Sequence, residues 1–270
     1  MSRLDTRLAD VRRTGRKALV TFITAGDPQV EVTVPALHAL VEGGADVLEL
    51  GIPFSDPEAE GPVIQAASER GLARGMTLRG VIDLVTSFRQ RDAQTPVVLM
   101  GYLNSILAMG CETFAKAAAE AGVDGLIMVN LPPEECAELK SALDHFGIRL
   151  IFLVAPTTTE GRARMILDHA SGFVYYVSLK GTTGSASLDP QAVGEKIRWL
   201  RGLTDLPLLV GFGIRDGRGA RDASAHSDGV VVGSALVTTM AERADDPASI
   251  PDALRAQVQA IRNGMDDVTC

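Results

Sequence analysis

Short apolar runs punctuate the chain at Ala18–Thr24, Val47–Leu50, Val97–Met100, Leu126–Val129, Leu150–Val154, Phe173–Val177, Leu208–Val210 and Val230–Val232. Each is brief and bounded by Gly, Pro or Asp, as suits a strand buried on both faces. Between them the apolar residues change to a helical period. Val34, Leu37 and Val41 repeat on one helix face, as do Leu78, Val81, Ile82 and Val85 behind a capping Thr77. Leu139 and Leu143 lie between Pro133 and Gly147; Val193, Ile197 and Leu200 follow Asp189-Pro190; Leu254, Val258 and Ile261 follow Pro251. Pro in a first turn and Gly past the last are helix start and stop signals.

Strands alternating with helices imply a parallel sheet, and eight is the number that closes a barrel. An open doubly wound sheet is the rival, but it usually carries a glycine fingerprint after its first strand, where this chain has TAGDP. The expectation is an α/β fold, a TIM (β/α)8 barrel formed as one domain by residues 1–264. The basic N-terminal stretch is expected to add a helix over the barrel floor, and residues 265–270 to form a flexible tail. The longest interruptions begin as GIPFSDPEAEGP after the second strand and SLKGTTGSASLDP after the sixth. Both leave the same barrel face, so they are candidate lids; surface insertions are the plainer alternative.

Composition narrows the function. The 270 residues are 46% hydrophobic, which excludes a disordered chain. The net charge of −8 argues against a nucleic-acid partner. Cys111, Cys136 and Cys270 form no CxxC pair, so neither a disulfide framework nor a zinc site is expected. The start, MSRLDTRLADVRRTGRK, has no apolar segment behind its charges and does not read as a signal peptide. No run approaches the ~18 apolar residues of a membrane span. A cytoplasmic address without membrane attachment is expected. His38, His145, His169 and His226 have no metal-binding spacing, and no P-loop, GxSxG or dinucleotide motif occurs. No metal, flavin or nucleotide is called for.

Glu49, in DVLELG, shares a strand face with Val47, while Leu48 and Leu50 take the other. If the leucines meet the outer helices, Glu49 faces the barrel interior, where desolvation raises a carboxyl's pKa into the range for general acid–base work. A structural glutamate paired with a buried Arg or hydrogen-bonded to backbone is the alternative. Glu60 follows in the next loop and is either a second rim carboxylate or a solvated loop residue. Asp56 reads equally well as part of an Asp-Pro turn. Tyr175 shares a face with Phe173 and Val177 and is either an inward donor or a packed core tyrosine. VGFGIRDG and VVVGSALV follow the seventh and eighth strands, where barrels of this kind bind phosphate through backbone N–H groups; a pair of tight turns is the plainer alternative. Gly181 and Gly184 sit in the loop after the sixth strand and could complete that cradle.

The segments FITAGDP, ADVLELGIPFSDP, GPVIQ, VLMGYLN, AGVDGLIMVNLPPEE, APTTT, SGFVYYVS, VGFGI and DGVVVGSALV, in this order, resemble the tryptophan synthase alpha chain family. The resemblance implies a carbon–carbon lyase that cleaves indole-3-glycerol phosphate to indole and glyceraldehyde 3-phosphate by a retro-aldol reaction. It implies no cofactor on this chain; pyridoxal phosphate belongs to a beta chain, the implied partner in an α2β2 assembly. The family's catalytic positions fall on Glu49, Glu60 and Tyr175, and its lid residue on Thr183. Its phosphate-binding positions fall on Gly184, Gly213, Gly233 and Ser234, and its indole pocket on Phe22, Met100 and Phe212. Asp56 and Asn104 match positions facing the beta chain. The chain departs from the family pattern at Glu60 and Asn130, where Asp is usual, at Ser105, where Pro is common, and at Glu58, where an apolar residue is usual. These departures keep two alternatives in view: a weakly active or inactive homologue serving as a binding or regulatory subunit, and a stand-alone indole-3-glycerol phosphate lyase.

Overall fold

A computed structural model describes residues 2–177, 190–211 and 213–267. Thr183 and Gly184, with Gly181 and Phe212, lie outside them. The parallel strands are β1 (Ala18–Thr24), β2 (Val47–Gly51), β3 (Val97–Gly101), β4 (Gly125–Met128), β5 (Arg149–Val154), β6 (Val174–Val177), β7 (Leu208–Gly211) and β8 (Gly229–Val232). They pair in chain order, and β8 returns to β1 to close the barrel.

Side chains alternate across each strand. Val20, Val47, Val98, Ile127, Ile151 and Leu209 pack inside the barrel, while Leu19, Leu48, Leu50, Leu99 and Val210 join the outer layer. That layer is made by helices α2 (Val30–Glu42), α3 (Pro62–Ala73), α4 (Leu78–Arg89), α5 (Leu103–Met109), α6 (Cys111–Ala121), α7 (Ala137–His145), α8 (Glu160–His169), α9 (Pro190–Arg201), α10 (Gly217–Ser224), α11 (Ser234–Ala241) and α12 (Ile250–Asp266). Thr77 caps α4 as its position implied, accepting from Gly80 N–H at 3.2 Å.

The extra helix, α1 (Arg3–Arg13), starts in a capping box between Ser2 and Asp5 and puts Leu4, Leu8 and Val11 against the inner core. At this floor one device recurs on every second strand. Asp46, Asp124, Ser171 and Asp228 stand at or near the start of β2, β4, β6 and β8. Their side chains accept the backbone N–H of Leu19, Val97, Leu150 and Leu208 on the preceding strand, at 2.8–2.9 Å. The three aspartates are also paired with arginines, among them Arg262 on Asp46, Arg89 on Asp124 and Arg201 on Asp228. The floor is thereby fixed in register, leaving the opposite rim to the loops.

The C-terminus departs from the expected tail. α12 runs through Gly264 to Asp266; Met265 is buried, and Asp266 pairs with Arg262 and Arg16. Gly264 is a packing residue rather than a stop. A Cβ there would lie 2.5 Å from Gly217 Cα, where α12 crosses α10.

Candidate active site at the barrel rim

Glu49 occupies the inward face of β2, in register with Phe22 on β1 and Val98 on β3. It is 1% exposed, and its Oε2 has no hydrogen-bond partner. No arginine pairs with it among the described residues, so the ion-paired form of the structural alternative does not describe it. Desolvation pushes its pKa up to about 8. Tyr175 is buried with the inner core, while Tyr176 joins the outer layer. Burial, and secondarily the Glu49 carboxylate, holds its hydroxyl well above the usual tyrosine pKa, so it remains a proton donor.

Glycines carve the space around these groups. A Cβ at Gly211, the last residue of β7, would lie 2.6 Å from Tyr175 Cζ and closer still to its hydroxyl oxygen. A Cβ at Gly51 would lie 2.7 Å from the Phe22 ring, and one at Gly233 3.3 Å from it. Phe22 therefore lies between the ends of β2 and β8, packed with Met100, Ala67 and Val237. Of the expected indole pocket, the structure brings Phe22 and Met100 together. The roles of Gly51 and Gly211 were hidden in the sequence, where each reads as a strand boundary.

Glu60 is half-buried rather than solvated. It shares a cleft with Phe22, Thr24, Phe54, Met100 and Tyr102. The Tyr102 hydroxyl donates to Glu60 Oε2 and accepts the Ala59 N–H at 3.0 Å. Gln65, on α3, donates to the carbonyls of both Pro57 and Glu60. Burial raises the Glu60 pKa, and the Tyr102 hydrogen bond opposes that rise. Thr24, at the end of β1, adds a buried hydroxyl with no partner to the same wall. Tyr102, Gln65 and Thr24 did not stand out in the sequence, although they lie inside the family segments VLMGYLN, GPVIQ and FITAGDP.

Gly213 follows β7 with φ +74°, open to solvent, and Gly233 and Ser234 open α11 after β8. β7 and β8 are neighbours, so these loops adjoin on one rim, and the first N–H groups of α11 have no partner within the helix. Asp56 is exposed and accepts the Ser55 hydroxyl at 2.6 Å. Asn104 is exposed at the start of α5, and its Oδ1 accepts from Asn130 Nδ2 at 3.1 Å, while Asn130 Oδ1 accepts Leu103 N–H at 2.8 Å. Among the described residues no cluster of His, Cys, Asp and Glu is placed to hold a metal ion, and no helix is long and apolar enough to cross a membrane. A larger depression at the other end of the barrel, between α1 and the segment before β7, is lined by Leu8, Arg12 and Pro207 among others and holds none of the site residues.

Comparison with known proteins agrees with this geometry. The family profile described as tryptophan synthase alpha chain matches residues 8–266. The tryptophan synthase alpha chain of Thioalkalivibrio sulfidiphilus is 55% identical over 266 residues, covering 98% of this chain and 100% of the relative. That of Laribacter hongkongensis is 54% identical with the same coverage. The crystal structure of tryptophan synthase alpha chain from Legionella pneumophila superposes with a TM-score of 0.91 at 41% identity, over 100% of this chain and 99% of that one. With a closed barrel, a buried inward glutamate and identity of this extent along its whole length, the chain belongs to the tryptophan synthase alpha chain family.

Proposed function

We propose that the chain cleaves indole-3-glycerol phosphate to indole and glyceraldehyde 3-phosphate, and that Glu49 moves both protons of the reaction. The observation that carries this reading is the Glu49 carboxyl, buried with no hydrogen-bond partner on its Oε2 and with its pKa pushed up to about 8. Such a group is protonated at neutral pH yet close enough to that pH to recover its proton.

In this mechanism Glu49 first gives its proton to indole C3. The ring loses aromaticity and positive charge develops toward the ring nitrogen. The Glu60 carboxylate stabilises that charge from beside the ring N–H, as a preorganised group in a site screened from water. The bond between C3 and the carbinol carbon then breaks, its electron pair returning to the ring. Glu49, now a carboxylate, takes the carbinol hydroxyl proton as the aldehyde forms. Proton in and proton out balance, so the residue ends as it began. The Tyr175 hydroxyl, kept protonated by its burial, donates to the substrate or to Glu49. Phe22 and Met100 hold the indole ring. Gly213, Gly233 and Ser234 bind the phosphate through backbone N–H groups, with Gly184 contributing from the loop after β6, where Thr183 is the lid residue. General acid–base assistance of this kind contributes about 10²–10⁴-fold.

The chain uses no cofactor of its own in this reading. Indole passes to a pyridoxal-phosphate-dependent beta chain in an α2β2 assembly, against a surface that includes Asp56 and Asn104. The test is indole release from indole-3-glycerol phosphate, measured with and without a tryptophan synthase beta chain. Slow release alone and faster release with the partner support the proposal. Equal rates favour a stand-alone lyase, and retained substrate binding without turnover in either case favours a binding subunit.

A further inference from the structure

Two carboxyl groups, Glu49 and Glu60, stand under opposite hydrogen-bonding regimes. Glu49 has no donor on its Oε2. Glu60 has a dedicated one, the Tyr102 hydroxyl, whose direction is fixed. One lone pair of that oxygen is taken by Ala59 N–H at 3.0 Å, so its own proton points to Glu60 Oε2. The tyrosine itself is held in place. It is 4% exposed, follows β3 immediately, and stacks on Phe54 with ring centroids 4.9 Å apart and 15° between planes. The loop it serves is clamped from the other side by Gln65.

We infer that Tyr102 is the positioning residue that keeps Glu60 an anionic acceptor facing the substrate while Glu49 remains an acid, so that the two glutamates divide their roles. The inference deepens the lyase reading and rests on it for its kinetic consequence. A donor that can only donate stabilises the charged form of its acceptor. Burial pushes Glu60 toward neutrality, and the Tyr102 hydroxyl is the main opposing influence, ahead of the backbone N–H groups of Glu60 and Ala59. The tyrosine proton is not lost in exchange, because burial and the Glu60 carboxylate both raise the Tyr102 pKa. Few other charges bear on the site. Glu58 and Asp56 lie on the same loop and are exposed; Glu49 and Tyr175 face the barrel interior from β2 and β6; Arg70 of α3 is committed to Asp27 at 2.6 Å. Among the described residues no cation pairs with Glu60, so hydrogen bonds favour its ionisation, the Tyr102 hydroxyl first and the backbone N–H groups after it. The arrangement also accommodates a Glu at this position: the longer side chain reaches the hydroxyl across the cleft.

The test is a pH titration of the full chain labelled with carboxyl-13C glutamate, followed by NMR. The Glu60 and Glu49 signals are assigned by their loss in Glu60→Gln and Glu49→Gln. Tyr102→Phe keeps the ring and its stacking and removes the donor. The expected result is a rise of about one pH unit or more in the Glu60 midpoint with the Glu49 midpoint unmoved. In kinetics, kcat/KM for indole release falls and its acid limb shifts upward by the same interval. As a second route that leaves the fold intact, replacing the tyrosines by 3-fluorotyrosine makes the hydroxyl a stronger donor and lowers the Glu60 midpoint. A Glu60 midpoint unchanged by either alteration overturns the inference. Because the titration needs no substrate, it decides the role of Tyr102 separately from turnover; absence of indole release by the unaltered chain overturns the lyase reading instead.

Discussion

Tyr175 on β6 points its hydroxyl into the space that a side chain on Gly211 of β7 would fill. The tyrosine's position is therefore written partly on the neighbouring strand. Gly211→Ala forces the ring to shift or β7 to move. Because misplacement of about 1 Å in a catalytic constellation costs on the order of 10²-fold, kcat/KM for indole release is expected to fall by at least tenfold. Gly161→Ala serves as control, since a Cβ there meets nothing within 4 Å and φ is ordinary; its activity should match the parent, and its melting temperature should be unchanged or slightly higher, because Ala favours the helix.

Glu49 also leaves a signature in stability. Its folded pKa of about 8 lies above the unfolded value of 4.5. Between those pH values the unfolded chain releases a proton that the folded chain retains, so the Glu49 contribution to stability is lost as pH rises through that window. Every pH unit within the window is worth about 1.4 kcal/mol, and the whole of it amounts to a few kcal/mol. Glu49→Gln, neutral throughout, should gain stability relative to the parent at pH 8 and differ little from it below pH 4.5. Denaturant midpoints of both proteins at the two pH values check the sign. A parent that does not lose ground to Glu49→Gln on going to pH 8 would show that the carboxyl is not desolvated.

Glu60→Asp restores the residue usual in the family but shortens the side chain by one methylene. The loop that carries it is held by Tyr102 and Gln65, so the shorter carboxylate would withdraw from the hydroxyl. Loss of one hydrogen bond to a charged group costs about 1.5–3 kcal/mol, and kcat/KM should fall about tenfold or more. A rise in rate would show that Glu60 is a compromised catalytic group rather than an accommodated one.

The floor answers to different measurements. Arg262 is 5% exposed, and its guanidinium meets the fully buried Asp46 carboxylate at 3.2 Å. Arg262→Met leaves Asp46 with only the half-exposed Arg7 as an ionic partner, and breaking a buried pair costs about 3–5 kcal/mol. A large fall in unfolding free energy with unchanged kcat per folded molecule is expected, because residues at this end of the barrel serve stability and those at the other end serve catalysis.

The barrel was legible because its strands are buried on both faces and its helices on one, and the two periods differ. Glu49 and Tyr175 were legible as inward residues for the same reason: alternation along DVLELG and FVYYVS assigns each side chain a face. What alternation cannot convey is contact between strands. Gly211 makes room for Tyr175 and Gly51 for Phe22 across the sheet, and neither relationship exists within one strand. The Glu60–Tyr102 pair joins residues 42 positions apart in sequence, and no local pattern encodes it. Gly264 likewise serves the close crossing of α10 and α12, a contact no local pattern encodes.

Everything proposed for the reaction turns on the buried carboxyl of β2. Single-turnover release of indole from indole-3-glycerol phosphate by Glu49→Gln, compared with the unaltered chain at neutral pH, isolates it. The side chain keeps its shape and loses its proton chemistry, so release should slow by about 10²-fold or more while substrate still binds. Release at the parent rate would contradict the assignment of Glu49 as the proton carrier.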